Sequence, residues 1–136
     1  MGFAPVSPRK QSATQHSTLN TQHFSWPVRV YYEDTDLGGV VYYANYLKFM
    51  ERARTEWLRA LGFEQTALAR DHGVVFVVSS LTIDYLKPAA FNDELTVTVE
   101  LEKLGAGQIV LMQRIARGAE ALATASVRIA KEPITP

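Results

Sequence analysis

Apolar side chains recur at three- and four-residue steps between residues 46 and 61, while charged and polar residues fill the positions between them. Because a helical turn takes 3.6 residues, this spacing predicts a long amphipathic helix with one buried stripe. Gly62 stands where a helix C-cap is expected. Each large apolar side chain contributes about 1.5–3 kcal/mol when fully buried, so the helix can anchor a sheet. The stripe comprises Tyr46, Phe49, Met50, Ala53, Trp57, Ala60 and Leu61.

Most of the remaining pattern is typical of β-structure, with β-branched runs or apolar residues that alternate with polar ones. Turns are predicted at residues 105–107 and at Gly118, and a short, weaker helix at 64–71. The predicted strands cover residues 26–33, 74–86, 95–101, 109–115 and 121–130. One strand, one long helix and four further strands indicate an α+β fold, with an antiparallel sheet curled around a single central helix.

Residues 1–23 differ from the rest, being rich in Ser, Thr, Gln and Pro without an apolar period. They are predicted to form a disordered polar tail before one domain at 24–136. No apolar stretch follows the positive charges of Arg9 and Lys10, so no secretory signal is expected and the cytoplasm is the predicted location. One helix leaves sheet edges uncovered, and we therefore expect at least a homodimer.

Composition excludes several classes of function. The formal net charge is zero, which gives no general field for nucleic acid or an anionic membrane. No apolar run of about 18 residues indicates an integral membrane segment. The absence of cysteine removes thiol chemistry, and the three histidines, at 16, 23 and 72, are too few for a multi-histidine metal site. No metal is expected.

Candidate chemistry is concentrated between Tyr31 and Arg54. Two carboxylates, Asp34 and Asp36, come just before Gly38 and Gly39, which allow backbone to approach a ligand closely. The predicted helix follows at once and offers unpaired N–H groups at the positive end of its dipole. A carboxylate beside such donors is an arrangement suited to acyl transfer.

The same segment resembles the YbgC-like and 4-hydroxybenzoyl-CoA thioesterases of the hot-dog fold. The resemblance extends from about Phe24 to about Ala130, and its most specific part is EDTDLGGVVYYANY followed by a helix carrying ERAR; the later segment DYLKPAAFND is also similar. It implies a five-stranded antiparallel sheet wrapped around one long helix, a homodimer or homotetramer, and hydrolysis of acyl-CoA thioesters without a metal or another cofactor.

The resemblance also implies roles for three residues. The family's catalytic acid falls on Asp36, its oxyanion contact on the backbone N–H of Tyr43, and the aromatic residue upstream of the acid on Tyr32. The N–H would polarise the thioester carbonyl, and Asp36 would act either as nucleophile, through a mixed anhydride, or as the base that activates water. The expected substrate carries a short-chain aliphatic or aromatic acyl group.

A purely structural role is the alternative interpretation of the acidic and aromatic residues in this segment. Asp36 could serve as a turn or capping acid, and Asp34 is expected to make a turn-stabilising contact. Tyr32 could be a packing residue of the first strand. A related hot-dog lineage has its catalytic carboxylate on the central helix, where this chain has Glu51, but Arg54 one turn later favours a structural ion pair.

Other reactive residue types lack the required context. No nucleophile-elbow pattern surrounds Ser79 or Ser80, so a triad with His72 is not predicted. Lys87 and Arg128 are candidate contacts for CoA phosphates, but a solvated surface charge is the better interpretation of each.

Two departures from the family's pattern keep other functions open. Many YbgC-like members have histidine where this chain has Tyr43, and many continue beyond the last strand, whereas this sequence ends at Pro136. One alternative is a non-catalytic module that binds acyl-CoA or another protein. Another is a hot-dog hydratase or dehydratase, which requires a histidine beside the acid; here His72 would have to lie close to Asp36.

Overall fold

The computed structural model describes residues 23–134 and consists of a curved antiparallel sheet around one long helix. This confirms the predicted α+β architecture. A short second helix and a single turn of 3₁₀-helix, Tyr32–Asp34, complete the fold. The elements are β1 His23–Arg29, α1 Ala44–Ala60, α2 Gln65–His72, β2 Val74–Tyr85, β3 Glu94–Gly105, β4 Gln108–Arg117 and β5 Glu120–Pro133.

The five strands lie in the order β1-β3-β4-β5-β2, so the first two strands in sequence form the two edges. The last three strands are joined by tight turns, as predicted. β2 pairs only with β5, and a bulge between Val78 and Ser80 interrupts their register. One long side of β2 is therefore free of strand pairing within the described chain.

The helix α1 places its apolar stripe against the concave face of the sheet, where Phe49, Met50 and Ala53 are fully buried. One prediction for this helix is wrong in detail, because Ala60, a member of the predicted apolar stripe, is exposed. Arg54, for which the sequence indicated an ion pair with Glu51, is buried. The helix ends as predicted, with Gly62 at a φ of 92° just after the C-cap residue.

The predicted first strand, residues 26–33, is shifted in the structure. β1 begins at His23 and ends at Arg29, and the chain then turns into the 3₁₀-helix. Asp34 explains the early end, because its carboxylate accepts a hydrogen bond from the backbone N–H of Tyr31 at 2.9 Å and so favours a turn over a further strand pair. The tail predicted for residues 1–23 lies outside the described residues except for His23, which is the first residue of β1.

Candidate active site

The segment between β1 and α1 forms a tight turn that presents Asp36 to solvent. The N–H of Asp36 donates to the carbonyl of Val40 at 2.9 Å, and the N–H of Gly39 donates to the carbonyl of Asp36 at 3.0 Å. One carboxylate oxygen, Oδ1, accepts the N–H of Gly38 at 2.8 Å. The other, Oδ2, has no partner among residues 23–134 and is available to a ligand.

The two glycines of this turn differ in what they contribute to its geometry. Gly39 has a φ of +82°, in the left-handed region that side chains other than glycine rarely adopt. A Cβ on Gly38 would lie 3.3 Å from Oδ1 of Asp36. Any larger residue at position 38 would therefore press on the carboxylate that the turn presents.

Asp34 has a structural role, as the sequence indicated. In addition to the contact of its carboxylate with Tyr31, its carbonyl accepts the N–H of Tyr42 at 3.0 Å and the side-chain amide of Asn45 at 2.9 Å. We call residues 34–40 the acidic turn, and these bonds connect it to the first turn of α1. Asn45 is buried and was missed by sequence reasoning, since it interrupts the apolar stripe and a lone amide carries no periodic signal.

The start of α1 provides the expected backbone donor. Tyr43 is the N-cap residue, with helical dihedral angles of φ −61° and ψ −25°. Among the described residues, no acceptor lies within hydrogen-bonding distance of its N–H. A free N–H at the positive end of a 17-residue helix can bind a carbonyl oxygen that gains negative charge.

A cavity of about 420 Å³ lies beside this helix start. Its walls are mainly apolar and aromatic, and they come from α1, from the end of β2 and from the segment that follows β2. The lining residues are Val41, Tyr43, Tyr46, Tyr85, Leu86, Lys87 and Pro88. We call it the tyrosine cavity.

Three tyrosines of this cavity support one another. The rings of Tyr43 and Tyr85 meet edge to face with centroids 5.7 Å apart, and the rings of Tyr46 and Tyr85 are 5.4 Å apart. The hydroxyl of Tyr85 donates to the carbonyl of Tyr43 at 3.2 Å. Burial, together with the neighbouring Tyr43 and Tyr46, raises the pKa of Tyr85. Tyr85 therefore keeps its proton and its bond to the helix start at neutral pH.

Tyr32 faces a different cavity. The residue as a whole is 75% exposed, and its ring stacks on Phe91 with centroids 3.8 Å apart and planes inclined by 8°. The two rings line a second cavity of about 570 Å³, together with residues 29–31, Glu33 and Asn92. The structure thus associates Tyr32 with Phe91 and not with the tyrosine cavity, and no hydrogen bond joins its hydroxyl to Asp36 in the described chain.

The predicted ion pair between Glu51 and Arg54 is wrong. Glu51 accepts the hydroxyl of Thr55 at 3.0 Å, while Arg54 donates to the side-chain carbonyl of Gln113 at 2.9 Å. Arg54 turns inward because a buried amide on β4 faces it across the core. Desolvation lowers the pKa of Arg54, and the charge of nearby Glu51 partly opposes this effect.

The other reactive side chains serve structural purposes. Ser79 lies in the β2 bulge and donates to the carbonyl of Arg128 at 3.2 Å. His72 ends α2, and in the described chain no hydrogen bond joins it to Asp36 or to either serine. Lys87 pairs with Glu120 at 2.8 Å, and Arg128 donates to Gln108 at 2.8 Å. Residues 23–134 contain no cluster of three or more metal-ligating side chains.

Comparison with known proteins decides the family. The sequence profile described as "Thioesterase superfamily" matches residues 38–124, which include Gly38 and Gly39 of the acidic turn, the start of α1 and the residues that line the tyrosine cavity. The chain belongs to the thioesterase superfamily. It is also 50% identical, over 107 residues that make up 79% of each chain, to the protein of Haemophilus influenzae named acyl-CoA thioesterase YbgC. The resemblance inferred from the motif is confirmed.

Solved structures show the same fold. A probable thioesterase from Bartonella henselae superposes with a TM-score of 0.77 at 38% identity, covering 82% of this chain and 92% of the other. A 1,4-dihydroxy-2-naphthoyl-CoA thioesterase from Synechocystis superposes with a TM-score of 0.78 over 83% of this chain and 84% of its own, at 23% identity. Together with the sheet order, these neighbours confirm the hot-dog fold. The family profile and the relative at 50% identity assign the chain to the thioester-hydrolysing enzymes.

No helix in the described part of the chain is long and apolar enough to cross a membrane.

Proposed function

We propose that the protein hydrolyses acyl-CoA thioesters at the junction of the acidic turn and α1. The observation that carries the proposal is the free N–H of Tyr43, which stands at the positive end of α1 beside the tyrosine cavity. A relative that is half identical in sequence is named an acyl-CoA thioesterase, and this supports the same substrate class here.

In this proposal the thioester carbonyl accepts the N–H of Tyr43. As the carbonyl carbon becomes tetrahedral, its oxygen gains negative charge and the fixed donor binds it more tightly than it binds the substrate. This difference in binding between the tetrahedral state and the substrate lowers the activation barrier of hydrolysis. Tyr85 does not contact this N–H, but its hydroxyl donates to the carbonyl of Tyr43 and thereby holds the start of α1 in place.

Asp36 supplies the second group, through the carboxylate oxygen that its own turn leaves free. As a base it takes a proton from water, whose oxygen bonds to the carbonyl carbon while the carbon–sulfur bond breaks and the CoA sulfur receives the proton. As a nucleophile it bonds to that carbon directly, expels CoA thiolate and forms a mixed anhydride that water then cleaves.

The tyrosine cavity is proposed to hold the acyl group. Three aromatic rings and the apolar side chains of Val41, Leu86 and Pro88 surround a volume suited to a short aliphatic chain or a single aromatic ring. Lys87 is at its rim and is already paired with Glu120, so the cavity offers little to an acyl group with a free carboxylate.

The test compares Asp36→Asn with wild type over a panel of aliphatic and aromatic acyl-CoAs. Asparagine keeps the oxygen that accepts the Gly38 N–H, so the turn survives while the charge is lost. A general base or nucleophile contributes on the order of 10²–10⁴-fold, and we expect kcat to fall by that factor. Asp34→Asn is the matched control, because its amide oxygen can still accept from Tyr31.

Full activity of Asp36→Asn, or an equal loss in Asp34→Asn, would contradict the role of Asp36. A single turnover in H₂¹⁸O, followed by mass spectrometry of the peptide that contains Asp36, tests for the mixed anhydride. Incorporation of ¹⁸O into that peptide demonstrates the anhydride and its cleavage at the Asp36 carboxyl carbon, whereas label in the released acid alone is the product both of the base mechanism and of an anhydride that water cleaves at the acyl carbon.

A non-catalytic acyl-CoA-binding module is the second candidate, since the bond from Gly38 to an exposed Asp36 is also what a simple turn acid would make. Binding of acyl-CoA by the wild type without any turnover would favour it. Multiple turnovers that depend on Asp36 would exclude it. The expected cytoplasmic location stays a prediction, which cell fractionation tests.

A further inference from the structure

One short segment forms a wall of both cavities. Leu86, Lys87 and Pro88 line the tyrosine cavity, while Phe91 and Asn92 line the cavity of Tyr32. We call residues 86–93 the wall segment. It connects β2 to β3 and contains no regular helix or strand, so its position depends on what holds it from either side.

On its inner side the wall segment is fastened to the acidic turn and to α1. The carbonyl of Ala89 accepts the N–H of Val41 at 2.8 Å, and Ala90 forms an isolated β-bridge with Val40. The N–H of Ala89 donates to the hydroxyl of Tyr46 at 2.9 Å. On this side the segment is therefore held in place by the acidic turn and by α1.

On its outer side the wall segment is held by the guanidinium of Arg117, at the end of β4. Nη1 donates to Asp93 Oδ2 at 2.6 Å and to the carbonyl of Pro88 at 3.4 Å, and Nη2 donates to Glu120 Oε1 at 2.8 Å. The second oxygen of Glu120 binds Lys87 Nζ at 2.8 Å. One side chain thus connects both ends of the wall segment, directly at Pro88 and Asp93 and through Glu120 at Lys87.

We propose that Arg117 is a positioning residue of the active site, which clamps the wall segment against the acidic turn and thereby sets the size of the tyrosine cavity. The proposal rests on the function proposed above and adds a determinant of acyl-group selection that lies outside the catalytic turn. Arg117 touches neither Asp36 nor the helix start, and it acts through the wall segment alone.

The positions of these three acceptors require an arginine at residue 117. Its planar fork reaches two carboxylates and a carbonyl at once, whereas the ammonium of lysine is a compact charge that cannot hold the same three acceptors in fixed directions. Asp93 is fixed in turn, because its Oδ2 also accepts the N–H of Ala90 at 2.8 Å and its carbonyl accepts the N–H of Val30 at 2.9 Å.

The experiment uses the full chain with Arg117→Met and Arg117→Lys. Arg114→Met is the matched control, since Arg114 lies on the same strand, is exposed and, within residues 23–134, donates only to the carbonyl of Ala119. Amide hydrogen exchange is measured without ligand, and kcat and KM are measured with a short aliphatic and an aromatic acyl-CoA.

For Arg117→Met we expect exchange of the amides of Ala89, Ala90 and Phe91 to accelerate by about tenfold or more, while the amides of α1 keep their protection. The KM for the aromatic acyl-CoA should rise by about fivefold or more with kcat changed less than about twofold, because the loss is in binding and not in the chemical step. Arg117→Lys should give intermediate values, and Arg114→Met should match wild type.

The inference is overturned if exchange in the wall segment is unchanged, or if Arg114→Met has the same effect as Arg117→Met. A uniform fall in kcat for every substrate would also overturn it. If Arg117→Met does not fold, Arg117→Lys and Glu120→Gln give the same comparison. Should the wild type hydrolyse no thioester, the proposed function fails, and hydrogen exchange still decides whether Arg117 clamps the segment.

Discussion

In the proposed function the two carboxylate oxygens of Asp36 have different tasks. One accepts the Gly38 N–H within the turn, and the other faces solvent without a partner in the described chain. This bond fixes the direction of the carboxylate, so the residue is held in place before a substrate arrives. The prearrangement is what a catalytic acid requires, because no reorganisation is then needed during the reaction.

At the same scale, the N–H of Tyr43 can be tested separately from its ring. Tyr43→Pro and Tyr43→Ala both remove the ring, but only proline removes the N–H, and the φ of −61° at this position suits proline. We expect kcat of the proline variant to be about 10²–10³-fold below that of the alanine variant, the usual loss for one oxyanion donor.

Steady-state kinetics of these two variants are the measurement, and circular dichroism checks that α1 is retained in both. Equal kcat values for the proline and alanine variants would show that the oxyanion contact lies elsewhere.

Among the helices and strands, α1 contains a polar contact inside an otherwise apolar interface. Gln113 on β4 accepts from Arg54 at 2.9 Å and donates to the carbonyl of Met50 at 3.1 Å, and all three residues are buried. The amide therefore fixes both the height of α1 over β4 and its rotation. Apolar packing alone would tolerate small shifts of the helix.

Replacement of this amide should be costly. Gln113→Leu leaves a buried guanidinium without its acceptor, and we expect the free energy of unfolding to fall by about 1.5–3 kcal/mol, the usual range for a hydrogen bond to a charged group. Gln108→Leu is the control, since Gln108 accepts from the exposed Arg128 and its loss should cost less than about 1 kcal/mol. Urea denaturation measures both, and equal losses would contradict a special role for Gln113.

The lowered pKa of Glu120 predicts that the free energy of unfolding depends on pH. Hydrogen bonds from Lys87 and Arg117 lower the pKa of Glu120 from 4.5 to about 2. The folded state therefore holds the proton less tightly than the unfolded chain does. Its stabilising contribution is complete above the unfolded pKa and is lost as the pH falls from about 4.5 towards 2.

The measurement is the difference in unfolding free energy between wild type and Glu120→Gln at low ionic strength. The difference should be constant from pH 7 to about pH 5.5 and should shrink below about pH 4.5. Glu102→Gln serves as the control, because exposed Glu102 makes no ion pair within residues 23–134. A difference that stays constant down to pH 2.5 would contradict the ion-pair cluster.

The elements themselves were largely predictable. The apolar spacing indicated α1, while a β-branched run and apolar–polar alternation indicated the later strands, because burial imposes a pattern on the sequence. The end of β1 and the inward turn of Arg54 were not predictable. Each depends on a partner distant in sequence or on a local side-chain contact, namely Gln113 for Arg54 and the carboxylate of Asp34 for β1.

At the scale of the whole molecule, β2 leaves one edge unpaired, with Val77 and Val78 exposed. Part of this edge is already occupied, because the side-chain amide of Gln65 bonds both the N–H and the carbonyl of Phe76, at 3.1 and 3.2 Å. Backbone groups of β2 beyond Phe76 are left for a second copy. The homodimer or homotetramer expected from the sequence would use this part of the edge.

Sedimentation tests this expectation. We expect the wild type to sediment as a dimer or tetramer and Val78→Lys to shift it towards monomer, because a lysine would introduce an uncompensated charge into a strand pair. Ser25→Lys, on the opposite edge of the sheet, should leave the assembly unchanged. A monomeric wild type would contradict the prediction, and an assembly that survives in Val78→Lys would exclude this edge.

The sequence by itself determined the order of the elements, the class of the fold and the acidic turn before α1. These properties are encoded locally, by the period of burial, by the residues of the EDTDLGG turn and by their similarity to one family. Tertiary structure decided which side chains share a site. It associated Tyr32 with Phe91, brought Tyr85 to the helix start and connected Arg117 to both ends of the wall segment. These contacts join residues up to 59 positions apart in the chain. A local sequence pattern carries no information about contacts between residues so far apart.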